Sequence, residues 1–214
     1  SAFGGIVSCN FKITKLLAIE LSKLFLEVIV ANNFDINALK ILKKKKNLRL
    51  IDASNYKVNN HLKHVSINNE MLIQSEDLKK FTTKDLKIVS KRKPSVKEMK
   101  DLIFAFNVCR YVKSNAIVLA ANDTTAGIGS GQPSRLDSCK IAINKMKKFN
   151  KSNQKLVAAS DAFFPFVDGI EKLVQSGVQA VIQPSGSIRD KEIIKFANET
   201  DTVLVFSKTR HFRH

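Results

Sequence analysis

Four short, almost wholly apolar runs in the C-terminal part of the chain limit its fold more than any other feature. They are AIVLAA (116–121), KLVAAS (155–160), QAVIQ (179–183) and TVLVFS (202–207). Each has the length of a β-strand and lacks the polar alternation of a strand with one solvent-exposed face. Segments with helical periodicity separate the runs. The pattern therefore predicts an α/β fold with a layered α/β/α architecture.

The segments between the runs carry helix start signals. Ser95 and Glu98 form an S-x-x-E capping box directly after Pro94, and an apolar stripe continues to about residue 112. Three further helices are predicted over residues 134–148, from a cap at Asp168 to about Gly177, and over 189–198.

The N-terminal part shows a similar alternation. It predicts a helix over 12–25, a strand over 26–31, a helix over 35–46 with Asp35 as its cap, and a strand over 48–53. Residues 55–93 are polar and Lys-rich and predict connecting strands and loops. We therefore expect two parts, residues 1–93 and residues 94–214.

Glycine, aromatic and charged residues are concentrated where predicted strands end. The four clusters are GIGSGQPSR (127–135), SDAFFPFVDG (160–169), QPSGSIRD (183–190) and SKTRHFRH (207–214). In α/β folds, ligands bind at the carboxyl ends of strands. Gly127, Gly129 and Gly131 would let the backbone approach a ligand, although a tight turn explains them equally well. Rings, guanidinium groups and amides together indicate a site for an anionic heteroaromatic ligand.

The net charge of +17 has two explanations. It is typical of nucleic-acid-binding proteins. However, only seven of the 36 basic residues are arginine, and the chain is rich in Lys, Asn, Ile and Phe, which have AT-rich codons. We favour this compositional explanation and expect no nucleic-acid partner. Because there is no C-x-x-C pair and no long apolar run, we expect reduced thiols and no structural zinc in a cytoplasmic protein without a membrane span.

Six motifs, in this order, resemble one enzyme family: SAFGGIV, KSNAIV, GIGSGQPSR, SDAFFPFVDGI, VIQPSGSIRD and RHFRH. The chain is similar over essentially its whole length to the formyltransferase part of the AICAR formyltransferase/IMP cyclohydrolase family of purine biosynthesis. That family transfers a formyl group from 10-formyltetrahydrofolate to the amino group of AICAR, an aminoimidazole carboxamide ribonucleotide. The resemblance implies two related cytidine-deaminase-like α/β/α units, no metal requirement and a homodimer with sites at its interface.

The resemblance also implies roles for individual residues. Asn115 would position the carboxamide of AICAR, and Arg210 would bind its phosphate. Further substrate contacts would come from Phe3, Gly4, Glu27, Arg135, Phe163 and Phe212, and folate contacts from Pro165, Asp168 and His214. Asp161 would order the aromatic loop or serve as a buried structural carboxylate. Because the amine of AICAR is conjugated with its carboxamide, it is a poor nucleophile, and catalysis must orient it and manage its proton.

Departures from the family pattern limit these expectations. The family's Lys-His pair, which handles protons, belongs to a segment upstream of SAFGG. We therefore expect an N-terminally truncated fragment, without the cyclohydrolase domain and inactive alone. Val167 replaces a usual Arg, which weakens one charged contact. His61 and His64 are more consistent with surface positions than with a metal site. The alternative to a transferase fragment is an inactive nucleotide-binding or dimerisation remnant.

Overall fold

The computed structural model of the protein describes residues 3–57, 62–149 and 155–213. The chain divides into two compact units, Ser1–Glu76 and Asp77–His214. This division precedes the predicted boundary at residues 93 and 94, because the strand Leu86–Ile88 pairs with the last strand of the second unit. The assignment of the two parts to related cytidine-deaminase-like units stays a prediction.

The first unit contains a three-stranded parallel sheet formed, in this order, by β1 (Phe3–Cys9), β2 (Phe25–Ala31) and β3 (Arg49–Asp52). The connecting helices α1 (Lys15–Ser22) and α2 (Ile36–Leu42) are shorter than predicted. Asp35 is at the N-cap of α2, but its side chain forms no capping hydrogen bond. The predicted connecting region contributes an antiparallel hairpin, β4 (Leu62–Ile67) and β5 (Glu70–Ser75).

The second unit contains a six-stranded mixed sheet in the order β6-β11-β10-β9-β7-β8. The strands are β6 (Leu86–Ile88), β7 (Ile117–Ala121), β8 (Thr124–Gly129), β9 (Leu156–Ser160), β10 (Val178–Pro184) and β11 (Val203–Ser207). A single 3₁₀ turn, Thr83–Asp85, precedes β6. All four predicted strands of this unit are present, and β8 is an addition.

A tight hairpin explains why the sheet is mixed. Asn122 and Asp123 have φ angles of 54° and 55°, the left-handed conformation that two-residue hairpin turns require. Their amides donate to the carboxylate of Asp101 at 3.0 and 2.8 Å. As a result, β7 runs antiparallel to β8 and β9, whereas β9, β10 and β11 are parallel.

Helices cover both faces of this sheet. They are α3 (Val96–Cys109), α4 (Arg135–Phe149), α5 (Val167–Gln175) and α6 (Asp190–Glu199). Alternate strand residues enter two separate hydrophobic cores: Val118 and Ala120 pack with α3, whereas Ile117 and Leu119 pack with α4, α5 and α6. Because both faces are buried, the strands are apolar throughout, as the α/β prediction requires.

The predicted capping box at the start of α3 is confirmed. The Ser95 hydroxyl accepts from the Glu98 amide at 3.2 Å, and the Glu98 carboxylate accepts from the Ser95 amide at 2.8 Å. Arg92 completes the arrangement with an ion pair to Glu98. Burial alone would raise the pKa of Glu98, but the hydrogen bonds from Ser95 and Arg92 outweigh it, so the pKa lies below its ordinary value.

The strand directions bring the polar clusters together. Because β8, β9, β10 and β11 all point the same way, their carboxyl ends lie at one edge of the sheet, beside the amino end of β7. The clusters predicted at strand ends begin at this edge or beside it. Within the described part of the chain, no helix is long and apolar enough to span a membrane.

Candidate functional site

A cavity of about 440 Å³ lies at this edge of the second unit. Its volume is in the range of small-molecule sites. Seven predicted site residues line it together: Asn115, Arg135, Phe163, Pro165, Asp168, Arg210 and Phe212. The remaining walls come mainly from the start of α4 and from the aromatic loop, residues 160–169.

A buried ion pair joins the start of α4 to the end of β9. Arg135, the first residue of α4, pairs with Asp161, and their side chains are 9% and 0% exposed. The same guanidinium donates to the Ser160 hydroxyl at 2.9 Å and to Asn115 Oδ1 at 2.7 Å. Because the carboxylate balances its charge, Arg135 acts here as a bridge between three groups rather than as a free cation.

Asn115 is held in one orientation by this network. Its Nδ2 donates to the carbonyl oxygens of Gln132 and Pro133 at 2.8 and 3.0 Å, while its Oδ1 accepts from Arg135. An amide oxygen has two lone pairs and an amide nitrogen has two hydrogens. Both hydrogens are therefore used, and the second lone pair of Oδ1 is the group that remains for a ligand N–H.

The aromatic loop directs its three phenylalanines differently. Phe163 lies on the cavity wall, 5.7 Å from the Arg210 guanidinium. Phe164 is 1% exposed and packs into the core, where its amide donates to Gln183. Phe166 is half-exposed, with the Arg189 guanidinium 4.7 Å from its ring centroid. All three contact the cavity, but Phe164 chiefly fixes the loop to the core.

Asp168 does not cap α5 as predicted. Phe166 occupies the N-cap and Asp168 lies in the first turn, where its carboxylate accepts from the Gly169 amide at 2.7 Å. The carboxylate thus stays exposed at the cavity. Val167 is partly buried against the core, so this position contributes packing where the family carries a charge.

Two glycines of GIGSGQPSR serve packing rather than ligand approach. Gly127 and Gly129 lie in β8, and a Cβ atom at either position would be 2.1 Å from the Ala142 carbonyl oxygen or 1.9 Å from that of Ser138. They therefore allow α4 to lie directly against β8, which corrects the expectation drawn from the sequence. Gly131 has φ +67° and shapes the turn between the two elements.

The C-terminal tail, residues 208–213, borders the cavity. The Arg210 guanidinium lies 5.7 Å from the ring centroid of Phe163 and 5.7 Å from that of Phe212. Across residues 3–57, 62–149 and 155–213, no carboxylate forms an ion pair with Arg210, so its charge is available to a ligand. His214, predicted to contact folate, lies outside the described residues.

Sequence reasoning missed three residues of this region. The Ser114 hydroxyl donates to Asp161 at 2.7 Å, Ser160 bridges Arg135 and the Ala162 carbonyl, and His211 is buried. Ser114 belongs to the KSNAIV motif, which was a signal for it. His211 belongs to the RHFRH motif, but its burial was not predicted, because its partner Asp77 is far away in the sequence.

The remaining predicted substrate residues form a separate cluster in the first unit. Phe3 is exposed and stacks on Phe25, with ring centroids 4.5 Å apart. Gly4 has φ +69°, and a Cβ atom there would be 2.7 Å from Glu27 Oε1. Glycine is therefore required beside Glu27. Their contact with substrate stays a prediction, and Ser1 and Ala2 lie outside the described residues.

Neither buried thiol is a candidate nucleophile. Burial raises the pKa of Cys139 to about 12. Burial, reinforced by the Asp161 carboxylate, also raises the pKa of Cys109 well above its ordinary value. Among the residues that the structure describes, no group of three His, Cys, Asp or Glu side chains is placed to hold a metal ion. His64 lies on β4, and His61 is not among the described residues.

Comparison with known proteins points to one family. Residues 1–145 match a family model described as AICARFT/IMPCHase bienzyme. The chain is 47% identical over 214 residues to bifunctional purine biosynthesis protein PurH of Aquifex aeolicus (strain VF5), which covers 100% of this chain and 42% of that protein. The corresponding protein of Persephonella marina (strain DSM 14350 / EX-H1) is 45% identical, over 100% of this chain and 42% of its own length. That of Buchnera aphidicola subsp. Schizaphis graminum (strain Sg) is 46% identical, over 100% of this chain and 41% of its own length. The chain thus spans about two fifths of these relatives.

Proposed function

The chain belongs to the AICARFT/IMPCHase bienzyme family, and on that basis we propose that it is part of an AICAR formyltransferase of purine biosynthesis. The reaction transfers formyl from 10-formyltetrahydrofolate to the amine of AICAR. The parent protein would also be an IMP cyclohydrolase. We further propose a cytoplasmic homodimer built from cytidine-deaminase-like three-layer units. The helices on both faces of the second sheet support that architecture.

The combination of groups around the cavity carries the proposal. Asn115 Oδ1 is a fixed acceptor, Phe163 offers a ring, and Arg210 offers a guanidinium 5.7 Å from that ring that forms no ion pair within the described residues. AICAR has matching parts: N–H donors on its amine and carboxamide, a flat imidazole ring and a phosphate. These three contacts would orient the poor nucleophile that the reaction needs.

The N-terminus of α4 adds to the anion preference of the site. Arg135 and Leu136, its first residues, line the cavity, whereas the Asp168 carboxylate already accepts from an amide in the first turn of α5. The first amides of a helix lack intrahelical partners and carry partial positive charge. Together with Arg210 they favour a phosphate or carboxylate in the cavity.

The folate would contact the aromatic loop. Asp168 exposes a carboxylate at the cavity and Pro165 stiffens the loop beside it. A carboxylate accepts hydrogen bonds, which suits the N–H groups of a pterin. We assign His214 to this contact from the family resemblance, and Phe3, Gly4 and Glu27 to the nucleotide on the same ground.

Proton transfer is assigned to groups other than those around this cavity. Arg135 and Asp161 neutralise one another, and Asn115 does not titrate. We therefore keep the family's Lys-His pair as the proton-handling groups and propose that the residues of this cavity bind and orient AICAR.

The test compares two proteins, this chain and a longer chain that carries the family's Lys-His segment before Ser1. Folate-dependent formylation of AICAR is measured, together with thermal unfolding in the presence of AICAR. We expect turnover only in the longer protein and stabilisation by AICAR in both, because a ligand of the folded state raises its stability. AICAR stabilisation without turnover in the longer protein would indicate the binding remnant instead. Absence of both would refute the proposed function.

A further inference from the structure

The C-terminal tail alternates between anchored residues and residues that face the cavity. Arg210 and Phe212 line the cavity. The residues on either side of them are tied to the protein: Thr209 accepts from Lys79, and the Arg213 amide donates to the Ser114 hydroxyl at 3.1 Å. Between Arg210 and Phe212, His211 is 1% exposed.

His211 is enclosed by aromatic rings and held by one carboxylate. Its ring centroid is 5.0 Å from that of Phe81 and 4.5 Å from that of Phe106. Its Nδ1 is hydrogen-bonded to Asp77. Within the described residues its Nε2 has no hydrogen-bond partner. Without Asp77, both ring nitrogens would therefore be buried and unpaired, which is unfavourable.

The segment that presents Asp77 is itself fixed to α3. The Phe81 amide donates to Asn107 Oδ1 at 3.2 Å, and Arg110 donates to the Lys79 carbonyl at 3.0 Å. Phe106, which contacts the imidazole, belongs to the same helix. His211 is therefore enclosed by residues that are themselves held to α3, rather than lying on the surface.

A second anchor connects the tail to Ser114 and Asp161, the sequence neighbours of the cavity residues Asn115 and Ala162. The His211 amide donates to the Asp161 carbonyl at 2.9 Å. The Ser114 hydroxyl accepts from the Arg213 amide and donates to the Asp161 carboxylate. The tail is thus coupled to the same Asp161 that holds Arg135.

We propose that the Asp77–His211 pair is a positioning device for the ligand site. Neither side chain lines the cavity. Asp77 forms a hydrogen bond with the buried His211 and so fixes the position of the tail. The fixed tail keeps the Arg210 guanidinium near the Phe163 ring, where it can pair with the phosphate of a bound nucleotide. This inference rests on the proposed function for the identity of the ligand, but the anchoring itself does not depend on it.

The experiment has two measurements on the chain. Hydrogen exchange measures how fast the backbone amides of His211 and Arg213 exchange with solvent. Calorimetry measures the affinities of the chain for AICAR ribonucleotide and for its riboside, which lacks the phosphate. The variants are Asp77→Ala, His211→Ala, Arg210→Ala and Ser114→Ala. Asp77→Asn retains an acceptor for Nδ1, and Glu199→Ala, at the exposed end of α6, is the surface control.

We expect Asp77→Ala and His211→Ala to accelerate exchange of both amides. They should weaken ribonucleotide binding by about tenfold or more, because a charge-assisted contact is lost, and leave riboside binding nearly unchanged. Arg210→Ala should weaken ribonucleotide binding by the same factor, while the His211 and Arg213 amides stay protected from hydrogen exchange. Ser114→Ala should resemble Asp77→Ala, and Asp77→Asn and Glu199→Ala should resemble the wild type.

Three results would overturn the proposal. Exchange of the two amides unchanged in Asp77→Ala would show that His211 is not an anchor. Fast exchange with unchanged ribonucleotide affinity would show that the anchor does not position Arg210. Equal losses for ribonucleotide and riboside would indicate a general defect. If the wild type binds neither ligand, the proposed function fails, and the exchange result alone decides the anchor.

Discussion

Arg135 and Asp161 form an ion pair that is shut off from solvent beside the cavity, and each member also holds a cavity residue or its neighbour. Arg135 fixes Asn115, and Asp161 fixes Ser114. A buried pair of this kind is costly to break on one side only, because the remaining charge is left unpaired. The pair therefore couples the stability of the second unit to the geometry of its site.

Removing the charge of Arg135 should destabilise the protein strongly. We expect Arg135→Met to lower the free energy of unfolding by about 3 kcal/mol, since it leaves the Asp161 carboxylate buried and unpaired. In the double variant Arg135→Met/Asp161→Asn, part of that loss should be recovered. Urea unfolding of the wild type, both single variants and the double variant measures the coupling; additive losses would contradict the role of the pair.

The contact between β8 and α4 makes a second prediction. Gly129→Ala places a Cβ atom 1.9 Å from the Ser138 carbonyl oxygen, so α4 must move away from the sheet. We expect a loss of about 3 kcal/mol in unfolding free energy. Gly131→Ala is the comparison, because only the Lys113 side chain is near and the cost of about 1 kcal/mol comes from its left-handed backbone. Thermal unfolding compares the stabilities of the two variants. An equal loss of stability in both would contradict the role of Gly129 in packing α4 against β8.

Glu98 predicts a change of stability with pH. Its folded-state pKa is below its ordinary value of 4.5, so the folded state favours the ionised carboxylate. The stabilisation is complete above about 4.5 and is lost as pH falls through the lowered folded-state pKa. We expect the stability difference between the wild type and Glu98→Gln to shrink on acidification. Urea midpoints from pH 7 to pH 3 measure it, with Glu199→Gln as an exposed control; a constant difference would refute the prediction.

Thiol reactivity tests the description of the core. Cys109 and Cys139 are fully buried and have raised pKa values, whereas Cys9 is only partly buried in β1, although burial also raises its pKa somewhat. We expect iodoacetamide at pH 8 to modify Cys9 first and the other two only after unfolding. Mass spectrometry of the native and denatured protein distinguishes the sites. Rapid native labelling of Cys139 would contradict the packing of α4.

The sequence predicted local features well. The strands at 116–121 and 202–207 follow from continuous apolar runs, and the Ser95–Glu98 box marks α3, because such signals depend on neighbouring residues only. Asp168 was wrongly assigned as a cap since a carboxylate near a helix start fits either the cap or the first turn. Gly127 and Gly129 were misread because their contacts with α4 are tertiary.

Contacts between residues far apart in the chain could not be predicted from the sequence. His211 and Asp77 are hydrogen-bonded across 134 positions, and nothing near either residue predicts the other. The antiparallel direction of β7 follows from the turn at Asn122 and Asp123, and the apolar runs alone do not indicate strand direction. In contrast, the gathering of Phe163 and Arg210 at one cavity was anticipated, since strand ends of α/β sheets share an edge. Asn115 precedes β7, and its place in the site followed from the family resemblance alone.

The most direct test of the central claim is a crystal structure of the chain soaked with AICAR ribonucleotide. We expect the nucleotide in the cavity of the second unit, with the imidazole against Phe163, an N–H group on Asn115 Oδ1 and the phosphate on Arg210. A nucleotide bound elsewhere, or an empty cavity at saturating nucleotide, would contradict it.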